Sequence, residues 1–172
     1  ASGYTASADP WVVLEMAAYN GSSVKTEDRY EAQSAAAAVL ADAAIKQTAD
    51  VSTLSGIDVS GAYAIYTVPY LSLAYQAAGE AGTDKHSPDN LKRIMTDYLD
   101  GLDESSDVEA VTPTLAALAP YYNTDDAVKR AVDEGVAWLS QHQNRDGTFS
   151  SYGTSNANTT ALAVVALTAL GI

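Results

Sequence analysis

Hydrophobic residues along this chain recur at helical spacing, and they do so in two patterns that alternate. In the segment 89–102, the apolar positions step by three and one, which places them on one face of a helix of 3.6 residues per turn. Charged residues occupy the opposite face. The segments 28–48 and 124–141 show the same amphipathic pattern. These three segments are predicted to be outer helices with one side in water.

Four other segments have little polar surface on any side: they are 10–19, 67–79, 112–122 and 160–170. A helix that is apolar all round must be covered all round, so these segments are predicted to be inner helices. Their openings recur about every 50 residues, near Asp9, Gly61, Asp107 and Asn156. The pattern predicts an all-α fold of about seven helices, arranged as inner and outer pairs in a single domain over 1–172.

Capping residues and prolines set the predicted helix ends. Asp9-Pro10 and Ser87-Pro88 combine an N-cap residue with proline at the first helical position. Gly79 and Gly171 stand where a left-handed C-terminal cap is expected.

Two further prolines and one polar segment refine this prediction. Pro69 either delays the start of its helix or kinks it, and Pro120 ends its helix within about a turn. The segment 52–61 contains Ser and Gly and is predicted to be a loop.

Composition excludes several classes of function. Nine Lys and Arg against 22 Asp and Glu give a net charge of -13, which disfavours nucleic acid as a partner. The absence of Cys excludes disulfides, thiolate zinc sites and a cysteine nucleophile. The apolar run 160–172 is too short to span a membrane, so no membrane span is expected. The first residues lack a signal-peptide pattern, and we interpret the chain as a mature or excised segment.

The segment 135–149 carries the most specific pattern in the chain. Its order of glycine, aromatic, aliphatic, glutamine, glycine and aromatic residues uses Gly135, Trp138, Leu139, Gln143, Gly147 and Phe149. This order resembles the QW motif of the squalene and terpene cyclases, whose fold is an α/α toroid of inner and outer helices. The resemblance is strongest in the last quarter of the chain, and the helical-pair repeat extends it more weakly over the rest. It implies a partial toroid, in which Gln143 bonds the ends of neighbouring helices.

The catalytic part of that family's pattern is replaced here by neutral side chains. The cyclases protonate their substrate with an Asp-x-Asp-Asp motif, and the matching positions are Asn156, Asn158 and Thr159. An amide is not a useful Brønsted acid. Protein prenyltransferases and thioester domains of similar fold need a Cys, which this chain lacks. No catalytic residue, cofactor or metal is therefore expected.

Tyrosine supplies most of the aromatic residues, with 11 Tyr against one Phe. Several tyrosines lie on or just before predicted inner helices, where their rings could line a concave face. Tyrosines packed in the core with hydroxyls at its rim are the alternative, and N-capping is the alternative for the two asparagines. The candidate ligand-binding residues are Tyr63, Tyr66, Tyr70, Tyr121, Tyr122, Tyr152, Asn156 and Asn158.

Histidines and acidic clusters are given structural interpretations. His86 and His142 have no third partner at metal-ligand spacing and are expected to be surface or cap residues. The acidic run over 97–109 lacks the calcium-loop pattern and is expected to be a solvated helix end. Asp125 and Asp126 are expected to face the N-terminal dipole of the helix that follows.

The closest relatives implied by the resemblance are toroid modules in exported proteins of Gram-positive bacteria. We therefore expect a non-catalytic binding or structural module of an extracellular or cell-surface protein. One alternative is a terpene cyclase or lyase of the toroid fold whose acid lies elsewhere, at Asp9, Asp107 or Glu109. Another is a small-ligand carrier resembling the transcobalamin-type toroids.

The predicted repeat stops before a complete toroid of six inner and six outer helices. Its apolar inner-helix edge is expected to pack against other domains of the same protein or against a second copy. A small molecule is a further candidate partner.

Overall fold

The part of the chain that the computed structural model describes is mostly helical and comprises residues 13–14, 17–18, 35–45 and 48–172. One two-stranded hairpin is the only sheet within these residues. The predicted all-α class is confirmed, and the toroid arrangement stays a prediction. The expected Asp9-Pro10 helix start, and Asp9 as an alternative acid, lie outside the described residues.

The described α-helices and strands follow one another in a simple order. The helices are α1 Ala35–Ala44, α2 Val68–Ala78, α3 Pro88–Asp100, α4 Val108–Leu118, α5 Asp126–Gln141 and α6 Ala157–Leu170. The strands β1 Phe149–Ser151 and β2 Thr154–Asn156 lie between α5 and α6. Short 3₁₀ helices cover Val51–Gly56, Ala64–Tyr66, Asp84–His86 and Ala119–Tyr121. Residues 13–14 and 17–18 also have helical backbone.

The chain divides into two compact units. The first contains the described residues before Val59 together with Tyr70–Thr83, and the second contains Val59–Pro69 and Asp84–Ile172. In the first unit, Val13 and Ala17 form a buried cluster with Ala41 and Ile45. Small residues on α1 allow this close helix packing.

The segment 52–61, predicted to be a loop, is partly helical. A 3₁₀ helix covers Val51–Gly56, and the Asp50 carboxylate caps it by accepting the Ser52 N–H at 3.1 Å. Leu54 is fully buried, with 0 % of its surface exposed. The prediction was wrong because the few apolar residues of this polar segment follow no helical period, although Leu54 and Val59 are buried.

In the second unit, four helices form two layers. The outer layer pairs α3 with α5, and the inner layer pairs α4 with α6. Lys92 near the start of α3 bonds Asp125, the N-cap of α5, and Asp100 at the end of α3 bonds Arg130. The helices of the outer layer therefore run in the same direction.

The outer helices α3 and α5 have the amphipathic character predicted for them, whereas α1, in the first predicted outer segment, has no exposed residue and lacks the expected side in water. Leu91, Met95 and Leu99 of α3 are buried, and Ser87 caps the helix by accepting the Asn90 N–H. On α5, the Asp125 carboxylate accepts the N–H groups of Ala127 and Val128, which confirms its expected place at the helix N-terminus.

The inner helix α4 is almost completely buried and begins four residues earlier than predicted. Asp107 is its N-cap, so Pro113 lies inside the helix rather than near its start. The missing proline N–H leaves one backbone bond unmade. Thr112 and Thr114 are also buried, and their hydroxyls donate to the carbonyls of Val108 and Ala110, which satisfies these polar groups within the helix.

The other predicted helix ends agree with the structure. Pro69 is the second residue of α2, and α4 gives way to a 3₁₀ turn at Ala119, next to Pro120. Gly79 and Gly171 have φ angles of 68° and 78°. Both adopt the left-handed conformation that ends a helix.

The segment before α6 forms a hairpin that the sequence pattern did not predict. Phe149 pairs with Asn156, and the two turn residues, Tyr152 and Gly153, both have positive φ angles. Two consecutive positive φ angles characterise the type I′ turn. Gln143 donates to the Gly147 carbonyl at 3.0 Å within its own turn, so the expected bond to neighbouring helices is wrong.

No helix among the described residues has both the length and the apolar character to cross a membrane.

Candidate functional site

Two carboxylates lie at the N-terminal end of α4, the central helix of the second unit. Asp107 Oδ1 accepts the Glu109 N–H at 2.9 Å, and Asp107 Oδ2 accepts the hydroxyl of Tyr66 at 3.2 Å. The Tyr66 bond joins the Ala64–Tyr66 turn to the start of α4. Asp107 therefore caps α4 with one carboxylate oxygen and contacts the Tyr66 hydroxyl with the other.

The start of α6 lies beside the start of α4. The buried Thr159 hydroxyl donates to Glu109 Oε1 at 2.7 Å, and at the far end α6 packs against the Ala119–Tyr121 turn. The two inner helices therefore run in the same direction, with their N-termini together. This arrangement also brings Asn156 and Asn158 to this end of the layer.

Three tyrosines at this end expose their rings to solvent. Tyr63 is 82 % exposed, Tyr66 44 % and Tyr152 98 %. Tyr63 and Tyr66 are three residues apart in one 3₁₀ turn, so their side chains project from the same side. We call Tyr63, Tyr66, Tyr152, Asp107 and Glu109 the tyrosine–carboxylate surface.

The pKa of Tyr66 reports its surroundings. Partial burial raises this pKa most, followed by the negative charge of Asp107 and the hydrogen bond to it. The nearby Tyr152 and Glu109 raise it further. Tyr66 therefore lies within electrostatic range of Asp107, Glu109 and Tyr152, and its hydroxyl stays protonated at neutral pH.

Tyr98 on α3 is a further neighbour of Asp107 at this site. Burial raises the pKa of Tyr98 to about 12, and the hydroxyl oxygen accepts a hydrogen bond from the Asp107 backbone, which opposes that rise. The bond connects the end of α3 to the cap of α4. Tyr98 was not a sequence candidate, because its helical spacing marks it only as one more member of the apolar face.

Ion pairs neutralise the carboxylates of the outer layer but not those of the tyrosine–carboxylate surface. Asp100, Asp125 and Asp133 each bond a Lys or Arg side chain on α3 or α5. Among the described residues, no Lys or Arg lies within 4.0 Å of the carboxylates of Asp107 or Glu109. This end of the inner layer therefore carries uncompensated negative charge.

Tyr121 and Tyr122 lie at the opposite end of α4, roughly 16 Å away along the helix axis. The Lys92 ammonium sits 5.1 Å from the ring centroid of Tyr121, and the Lys129 ammonium sits 4.8 Å from that of Tyr122. The Tyr122 hydroxyl also donates to Asp133 at 2.7 Å. These two candidates therefore contact charged outer-helix side chains.

The remaining candidates have separate places in the structure. Tyr70 lies on α2 in the first unit and is half-buried. Asn156 caps α6 by accepting the N–H groups of Asn158 and Thr159 at 2.8 and 3.2 Å. Asn158 itself is exposed at the second position of α6. The eight candidates are thus divided among several surfaces.

A shallow depression lies on the outer face of α5. Its lining consists of Asp126, Lys129, Arg130, Asp133, Glu134 and Ala137. Two ion pairs, Lys129 with Asp133 and Arg130 with Glu134, bridge its charged side chains. None of the eight candidates lines this depression.

Both histidines lie next to helix ends in the described part of the chain. His142 ends α5, where its Nδ1 lies 2.8 Å from the Trp138 carbonyl and its ring stacks on Trp138. His86, the last residue of the Asp84–His86 turn, is only 4 % exposed, so its expected surface position is wrong. Within the described residues, no group of three or more His, Asp or Glu side chains could hold a metal ion.

The acidic run is more structured than a solvated helix end. Asp100 bonds Arg130, and Asp107 caps α4. The sequence did contain a signal for this site. Asp107-x-Glu109 and Asn156-x-Asn158 have the same spacing, and each pair lies at the start of an inner helix.

Comparison with known proteins gives no assignment. No protein-family profile matches the chain, and no curated protein or solved structure matches it.

Proposed function

We propose that this chain is a non-catalytic, toroid-like binding module of an exported bacterial protein, and that the tyrosine–carboxylate surface is its ligand-binding face. The exposure of Tyr63, Tyr66 and Tyr152 at one end of the inner layer is the observation that carries the proposal. Grouped exposed aromatic rings offer a ligand a large contact area at low entropic cost.

The chemistry of the inner-helix starts supports binding rather than catalysis. Asn156 is engaged as a helix cap, and Asn158 presents a neutral amide. The resemblance to the cyclases places their proton donor in this stretch. An amide supplies hydrogen bonds to a ligand but no proton of useful acidity.

The exposed side of α6 supports the second part of the proposal, a packing partner. Val164 and Val165 are each 59 % exposed, although the opposite side of the helix packs against α4. In the proposed toroid-like module, this side packs against other domains of the same protein or a second copy. Such a module belongs to a protein at the cell surface or outside the cell.

A ligand panel tests the binding proposal. The full chain, labelled with ¹⁵N and with ¹³C in its tyrosine rings, is titrated with alkylammonium ions, carboxylates, neutral sugars and neutral alcohols. We expect at least one class to shift the ring resonances of Tyr63, Tyr66 and Tyr152 saturably. If no class does so, the tyrosine–carboxylate surface is not a small-ligand site and the proposal fails.

A double variant separates this surface from the rest of the protein. Tyr63→Ser with Tyr152→Asn removes two exposed rings, and Asn tolerates the positive φ of 50° at position 152. We expect the variant to fold and to bind the active class at least fivefold more weakly. Tyr122→Phe, at the opposite end of α4, is the control and should bind normally.

A further inference from the structure

The protein itself shows how its tyrosines and carboxylates hold an ammonium group. Lys129 Nζ lies 4.8 Å from the ring centroid of Tyr122 and 2.6 Å from Asp133 Oδ2. The Tyr122 hydroxyl donates to the other oxygen of the same carboxylate. Lys129 Nζ also donates to the Tyr122 hydroxyl oxygen at 3.3 Å, so in this small unit the ammonium contacts the hydroxyl edge of the ring and the negative charge together.

A second unit uses a related arrangement. Lys92 Nζ lies 5.1 Å from the ring centroid of Tyr121 and 3.1 Å from Asp125 Oδ2. Both units combine one aromatic ring with one aspartate that belongs to, or caps, an outer helix. An ammonium ion bound between a tyrosine and an aspartate is therefore a recurring feature of this structure.

Tyr66 and Asp107 form the same tyrosine–aspartate pair at the exposed end of the inner layer. The Tyr66 hydroxyl donates to Asp107 Oδ2 at 3.2 Å, as the Tyr122 hydroxyl donates to Asp133. In the described part of the chain, no Lys or Arg forms an ion pair with Asp107 or lies over the Tyr66 ring. This pair is accessible to a cation from solution.

The charge at this end favours a cation over other ligands. Asp107 and Glu109 contribute two formal negative charges, while the N-termini of α4 and α6 offset about half a charge each. The balance is negative, and the whole chain carries a net charge of -13. An anionic ligand would be repelled, and a neutral ligand would gain nothing from these charges.

We propose that the tyrosine–carboxylate surface binds an organic cation of the alkylammonium class, with its ammonium between the Tyr66 ring and Asp107. The proposal rests on the binding function proposed above and adds the class of the ligand. Tyr63 and Tyr152 contact the alkyl part, and Glu109 adds the second negative charge. Because the surface is open to water, the expected dissociation constant is roughly millimolar.

The probe is n-butylammonium, which reproduces the lysine side chain of the two internal units. 1-Butanol is its neutral analogue of similar size, and sodium chloride controls for ionic strength. We expect n-butylammonium to shift the resonances of Tyr66 and Asp107 saturably and 1-butanol to bind at least fivefold more weakly. Equal binding of the two probes would overturn the proposal.

Isosteric variants remove the charge of each carboxylate and keep the hydrogen bond that holds the helix start or Thr159. Asp107→Asn keeps an N-cap side chain, and Glu109→Gln keeps an acceptor for the Thr159 hydroxyl. We expect each to weaken n-butylammonium binding about three- to tenfold, and Asp133→Asn on α5 to leave it unchanged. Wild-type affinity in both carboxylate variants would contradict the proposal.

The two proposals fail in different ways. If a sugar, alcohol or carboxylate shifts the tyrosine–carboxylate surface while n-butylammonium does not, the binding function stands and the ligand class is wrong. If no class in the panel binds there, both proposals fall together.

Discussion

At the scale of single residues, Gly135 sets how closely α5 can approach its neighbours. A Cβ atom at this position would lie 3.0 Å from a Leu115 methyl carbon and 3.1 Å from one of Leu99. Both leucines are fully buried, so they have little room to move. The first glycine of the QW-like pattern is therefore a packing residue between the two layers.

We expect Gly135→Ala to lower the free energy of unfolding by about 1 kcal/mol. The overpacking penalty, about 1–3 kcal/mol, exceeds the helix propensity gain of about 1 kcal/mol. Urea unfolding followed by circular dichroism measures the change. Gly101→Ala is the control, because its Cβ would meet only ordinary contacts at 3.5 and 3.7 Å. A Gly135→Ala protein as stable as wild type would show that the leucines relax freely.

Tyr98 gives the protein an alkaline sensitivity. Its folded-state pKa is raised from 10.0 to about 12, so its contribution to stability is complete below pH 10 and is lost as the pH rises toward 12. The full effect is about 3 kcal/mol.

Tyr98→Phe should therefore flatten the decline in unfolding free energy between pH 10 and pH 12. Chemical denaturation at pH 8, 10, 11 and 12 tests this expectation. Tyr63→Phe, at an exposed ring, is the matched control and should keep the wild-type decline. An unchanged slope in Tyr98→Phe would mean that another group controls alkaline unfolding.

At the scale of elements, side-chain caps decide where the inner helices begin. Asp107 and Asn156 each accept a backbone N–H two residues ahead, and each starts its helix three or four residues earlier than the apolar pattern predicted. The apolar pattern marks the residues that need burial. The cap marks where the backbone turns, and both inner caps lie in polar stretches before the apolar run.

The two asparagines at the start of α6 should differ in their effect on stability. Asn156→Ala removes a cap that accepts two N–H groups and should cost about 1 kcal/mol. Asn158→Ala changes an exposed side chain in the first turn and should cost less than about 0.5 kcal/mol. Thermal unfolding of both variants compares them directly. Equal losses would show that the amide of Asn158 also holds the helix.

The β1–β2 hairpin shows why one element was not predicted. Its strands are three residues long and rich in Ser, Thr and Asn, so no alternation of apolar and polar residues marks them. Its turn uses Tyr152 at a positive φ angle instead of the usual Asn or Gly. Phe149 is buried, and its N–H donates to the Thr160 hydroxyl, which holds the hairpin against α6.

At the scale of the whole molecule, the exposed side of α6 is the surface on which a packing partner would lie. Ala161, Val164, Val165 and Ala169 are exposed along it together with Thr168, which makes a mostly apolar strip without charge. An apolar strip of this kind favours association over solvation.

We expect the isolated chain to associate with itself as its concentration rises, so that its measured mass exceeds the monomer mass of 17.9 kDa. Replacing Val164 and Val165 together with Asp should restore the monomer, because two charges would be buried without partners. Light scattering over a hundredfold range of concentration measures the mass. Ala137→Asp, exposed on the outer face of α5, is the charged control and should associate like wild type. A wild-type monomer at every concentration would exclude a second copy as the partner.

Local chemistry explains which features could be predicted from the amino-acid sequence. The predictable features depend on residues within about one turn of each other. They are the amphipathic faces of α3 and α5, the apolar character of α4, the Ser87 and Asp125 caps, and the glycines that end α2 and α6. The tertiary structure alone decided the site. The Tyr66–Asp107 bond joins residues 41 positions apart, and the Thr159–Glu109 bond joins residues 50 apart. Helical periodicity says which side of a helix is buried but not which neighbour covers it, so only the packing of the inner layer brings three exposed tyrosines to two uncompensated carboxylates.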